Sequence, residues 1–127
     1  MKEIYGKKSS PKYSEMIMEI YEQFDDSLPE KWTTVQVFEI CIEAWNLALK
    51  KSAIGDKMYK DILSKHKQDK VINRMVNYKN KHFKEFSNYI IDFSTTNNIL
   101  QVKSQPPEEY FKSIIIKSLV TIKKAKK

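Results

Sequence analysis

Glu39, Glu43 and Asn46 stand four and three residues apart, the spacing that puts two carboxylates and a carboxamide on one face of an α-helix. Under a covering groove, such a pair could share a proton or a cation, as acid–base and metal chemistry require. The same residues also serve as the plain wetted stripe of an otherwise apolar helix, and that reading has more in its favour. A second candidate set is basic. Lys67, Lys70, Arg74 and Lys81 recur at three- and four-residue multiples, with His66, Asn73 and Asn77 nearby. Such a stripe can track a phosphate backbone, or it can simply face solvent and the acidic N-terminal helix.

Other chemistries find no footing. His66 and His82 are sixteen residues apart, without a carboxylate or cysteine pair at ligand spacing, so no metal and no other cofactor is expected. Cys41 is the only cysteine and sits in an apolar stretch, where a thiol is usually an inert small hydrophobe. With Gly6 and Gly55 the only glycines, a phosphate-cradling glycine-rich loop is excluded. No Ser/His/Asp or Cys/His arrangement is legible. These absences point away from catalysis.

The element that must position the carboxylate stripe is Val35–Leu49, apolar almost all the way round. Its polar members are Gln36, Glu39, Glu43 and Asn46, with Lys50 following at the same spacing. A helix wetted along one stripe only is the central element of a packed domain. Thr33 with Gln36 forms a capping box that opens it. Trp45 is expected to anchor the core, and Asn46 to tie the helix end to the following turn.

Around this helix the chain reads as further helices. Ser10 and Pro11 open one whose apolar face is Tyr13, Met16, Ile17, Ile20, Tyr21 and Phe24. Lys50 to Gly55 reads as a helix end and turn, and Asp56 as the next N-cap. Ser64–Lys70 is polar, so the helix is either exposed or broken there. A face of Val71, Ile72, Met75, Val76, Lys79 and Phe83 follows. Residues 89–93 and 99–102 are β-prone and flank the turn-forming run 94–98, which predicts a hairpin near residues 88–104. Pro106 and Pro107 with Glu108 and Glu109 open a last helix, although β-branched residues over 111–122 leave a strand open.

The expected fold is therefore mainly α, in the α+β class. It is a bundle of about four to five helices around a central buried helix, with one β-hairpin. Residues 1–9 read as a flexible basic arm, 10–122 as a single domain and 123–127 as a basic tail. The chain is 127 residues long with a net charge of +7, distributed in blocks. Residues 13–49 hold eight acids against one lysine, whereas residues 50–84 hold eleven cations against three aspartates. Arg74 is the only arginine among 23 basic residues, which disfavours bidentate reading of bases. No apolar run reaches the roughly 20 residues of a membrane span, and the first six residues contain no apolar leader. A cytoplasmic location without membrane contact is the expectation.

Trp45-Asn46-Leu47-Ala48 resembles a recurrent feature of small bacterial proteins of unassigned function. In that family a Trp-Asn-bearing helix precedes a helix ending in a Lys-rich, Phe-containing segment, and then a hairpin. Here the segment is Lys79-Asn80-Lys81-His82-Phe83, and the hairpin comprises residues 89–93 and 100–104. The likeness covers roughly residues 33–106. It implies a helical domain with a hairpin and carries no activity.

The function expected from these features is that of a small, non-enzymatic binding or regulatory protein acting through macromolecular contacts. Its partner would be another protein, or a second copy paired along the hairpin edge as a homodimer. The alternative is nonspecific nucleic-acid binding through the Lys-rich helix face.

Overall fold

The computed structural model describes residues 11–97 and 99–112. Helix α1 spans Pro11–Phe24 and runs into a short 3-10 turn at Asp25–Ser27. Helix α2 spans Thr34–Leu63 and α3 spans Asp69–His82. Strands β1 (Tyr89–Thr96) and β2 (Ile99–Gln105) pair antiparallel as a hairpin. The domain is thus mostly helical with one hairpin, an α+β architecture. Among the described residues no helix is long and apolar enough to cross a membrane.

Helix α2 starts where the capping box places it. Gln36 N–H donates to Thr33 Oγ1 at 3.2 Å, and Thr33 N–H donates to Gln36 Oε1 at 2.8 Å. Its apolar majority is swallowed by the core, where Phe38, Cys41, Ala44 and Trp45 are fully buried. Ile17 and Ile20 of α1, Ile72, Met75 and Val76 of α3, and Leu100 and Val102 of β2 complete that core. Burial on every side but one is what a single polar stripe requires.

Three local expectations are sharpened. The turn expected at Lys50–Gly55 is present as a kink that separates two helical runs of α2, with Gly55 at φ 85° and ψ 165°. That region of backbone space is essentially reserved for glycine. A Cβ added there would meet nothing within 4 Å, so Gly55→Ala is penalised by backbone strain alone. We expect a loss of about 1–3 kcal/mol in chemical denaturation. The polar run after Leu63 does break the helix, with residues 64–68 forming turns before α3. In the hairpin, Ser94–Thr96 belong to β1 and the strands pair as far as Thr96 and Ile99, with Asn97 accepting a positive φ of 53°.

Residues 107–112 are helical, as the Pro-Pro-Glu-Glu opening predicts. The remainder of that helix or strand, the basic arm at 1–9 and the tail at 123–127 lie outside the described residues.

Candidate functional site

Trp45 and Asn46 reach out of the central helix to the backbone that leads into β1. The Trp45 indole N–H donates to Asn88 O at 2.9 Å. Asn46 makes a two-point contact two residues further on, at Ile90. Its Nδ2 donates to Ile90 O at 2.8 Å, and Ile90 N–H donates to Asn46 Oδ1 at 2.9 Å. One carboxamide thus meets both backbone groups of one residue, as a neighbouring strand would. The partner is the hairpin rather than the turn that follows the helix.

The contact identifies the outer edge of β1. In an antiparallel ladder, alternate residues point both backbone groups at the partner strand or both away from it. Ile90 points away from β2, towards Asn46. A bulge at Ile91 shifts the register, after which Phe93 pairs with Val102 and Thr95 with Leu100. Phe93 N–H donates to the side chain of Asp92 at 2.9 Å, so it too points outward. Alternation then puts Thr95 on the same outer edge. Among the described residues the sheet has two strands, and no third strand lies beyond β1.

Between this edge and α2 lies a cleft of about 500 Å³. Glu39, Glu43 and Asn46 all line it, as their spacing places them on one helical face. Asp92 adds a third carboxylate from β1, and Ile91, 43% exposed at the bulge, adds an apolar contact. Lys50 supplies a cation and His66 an imidazole. His66 Nε2 lies 3.1 Å from Glu43 Oε1, an ion pair when the imidazole is protonated. Sequence spacing gave no signal for this pair, since His66 comes from the linker after α2. Both Glu39 and Glu43 stay exposed, so the cleft is wet.

The basic residues separate. Lys70, Arg74 and Lys81 are exposed on α3, whereas Lys67 sits in the linker, beyond the reach of α3's periodicity. The guanidinium of Arg74 lies over the Phe24 ring, 5.3 Å from its centroid. His82 lies on α3 beside Tyr78 at 4.3 Å between ring centroids and lines a hollow with Arg74 and Lys81, whereas His66 lines the α2–β1 cleft. No group of three potential metal ligands occurs among the described residues.

Two buried titratable groups lie in the core behind the cleft. Burial pushes the Cys41 thiol well above the usual range, holding it protonated. Lys79 is 1% exposed, the core position that its place on the α3 face predicts. Its Nζ donates to Phe86 O at 2.7 Å and lies 4.8 Å from the Trp45 ring centroid. Desolvation lowers its pKa to about 8. Lys79 and Trp45 therefore brace the same loop, the segment that delivers β1 to Asn46.

Comparisons with protein-family models, with curated proteins and with solved structures gave no match.

Proposed function

We propose that this protein is a non-enzymatic recognition module whose binding surface is the cleft between α2 and the outer edge of β1. The observation that carries the reading is the two-point contact of Asn46 with Ile90. It occupies the edge at one residue and leaves the edge unpaired by a strand from Phe93 onward, beside a polar cleft. A polypeptide partner adding as a strand would gain backbone hydrogen bonds there and present alternate side chains to α2.

Glu39, Glu43 and Asp92 favour a partner segment bearing lysine or arginine. Ile91 favours an apolar residue beside it. Self-pairing of two copies along this edge would bring these carboxylates together, which weighs against a homodimer of that kind. Glu43 has a partner in His66 and Asn46 has one in Ile90, so the polar stripe serves cohesion and recognition in this reading, not turnover. A cytoplasmic setting belongs to this reading, since a single cysteine supplies no internal disulfide.

Panning a displayed library of extended peptides against the protein tests this. Enriched sequences should carry Lys or Arg beside an apolar residue. Glu39→Gln with Glu43→Gln should weaken them by about 1–2 kcal/mol, roughly tenfold. Failure to enrich any peptide, or binders indifferent to the double substitution, would count against the cleft.

A further inference from the structure

We infer that the exposed face of α3, together with Lys51 and Lys60 flanking the Gly55 kink, is a sequence-independent binding site for the phosphate backbone of a nucleic-acid duplex. None of its residues lines the α2–β1 cleft, so this site stands apart from the recognition surface proposed above.

The site begins with periodicity. Lys70, Arg74, Asn77 and Lys81 are all exposed and spaced four, three and four residues apart, a single stripe on α3. At 1.5 Å per residue it runs about 16 Å, the rise of roughly five nucleotides along one strand of a duplex. Two hollows flank this stripe and meet at Asn77, with volumes of about 410 and 350 Å³. Lys51, Lys60 and Lys70 line the first, and Arg74 and Lys81 line the second. Asp56 and Asp69 line the first hollow, and Glu19 comes to the second through the hydroxyl that Tyr78 donates to it at 2.7 Å. Asp69 already accepts the Lys70 backbone N–H at 2.9 Å.

Several of these groups are held in place. Lys51 Nζ lies over the Tyr59 ring, 4.6 Å from its centroid. The Tyr59 hydroxyl donates to Asn73 Oδ1 at 2.7 Å, which leaves the two amide N–H donors of Asn73 for an acceptor such as a phosphate oxygen. Arg74 rests on Phe24. Holding long side chains in advance reduces the ordering cost of binding. Base reading is absent from this design. The face has a single arginine, and Phe24, Tyr59 and Tyr78 are buried or half-buried, so no exposed aromatic platform stacks bases. What remains is a row of point charges for phosphates, on a chain whose net charge is +7.

Fluorescence anisotropy of the full chain with a labelled DNA duplex, across a salt series, tests the inference. Four to five phosphate contacts predict a slope of log K against log salt near −4, at about 0.9 per contact. Lys70→Gln with Arg74→Gln should make the slope shallower by about 2 and weaken binding roughly tenfold or more at about 50 mM salt. Lys31→Gln with Lys103→Gln removes the same charge elsewhere and should leave the slope unchanged. Helical circular dichroism checks folding, and Lys70→Gln with Lys81→Gln replaces the first pair if Arg74 proves necessary for it. Absence of binding at about 20 mM salt overturns the proposal. So does an unchanged slope in the α3 variant, or an equal loss in both doubles.

Discussion

Asn46→Ala should lower the unfolding free energy by about 2–4 kcal/mol, a large loss for one half-buried polar side chain. The carboxamide makes two hydrogen bonds to Ile90, and Ile90 is 2% exposed. Truncation strands a buried donor and a buried acceptor together, and each unsatisfied group costs about 1–3 kcal/mol. Water entering from the cleft offsets part of that. The loss should be local as well as global. Amide exchange at Ile90 should accelerate by more than the global destabilisation accounts for, as the start of β1 lifts from α2. A change below about 0.5 kcal/mol by urea denaturation would mean that Asn46 is not what fixes the hairpin to the helix.

The second large effect is a dependence of stability on alkaline pH, set by Lys79. Its folded pKa of about 8 lies below the ordinary 10.5 because the ammonium is desolvated. Between those two values the unfolded chain binds more protons than the native one, so stability rises with pH through that window. The full difference corresponds to about 3 kcal/mol, of which about 2 kcal/mol is recovered between roughly pH 7 and 9.5. Tyrosines oppose the trend at higher pH. Burial, and the hydrogen bond that the hydroxyl donates to Glu19, push Tyr78 up to about 12. The native state then holds a proton that the unfolded chain releases above about pH 10, and stability falls. Burial shifts Tyr59 and Tyr89 in the same direction.

The stability maximum should therefore fall near pH 9–10. Lys79→Met should abolish the rise. At neutral pH its stability should stay within about 1–2 kcal/mol of the parent, since it removes a buried charge but also the donor to Phe86 O. Denaturant titrations of both proteins at several pH values check this, and parallel pH curves would contradict it.

What the sequence disclosed follows from distance along the chain. The spacing of Glu39, Glu43 and Asn46 puts them on one helical face, and all three line the cleft. The capping box at Thr33 and the core position of Lys79 follow from the same local geometry. Contacts between distant segments left no such mark. Asn46 meets Ile90 from 44 residues away, and nothing in either residue type announces a carboxamide standing in for a strand. His66 reaches Glu43 only because the chain turns back after Leu63. Lys67 falls out of the basic stripe for a related reason. A periodicity argument holds only while the helix continues, and residues 64–68 interrupt it. Gly55 reads in sequence as a stop, and its non-helical backbone does divide α2 into two helical runs across a kink.

A partner strand is expected to add to the outer edge of β1 beyond Ile90. Hydrogen exchange at the Phe93 and Thr95 amides, with and without an enriched peptide bound, tests it most directly. Exchange at Thr95 should slow on binding by at least about tenfold, with protection extending to Phe93 and fading before the turn. Protection elsewhere on the surface, with Thr95 exchanging as fast in the complex as in the free protein, would contradict it.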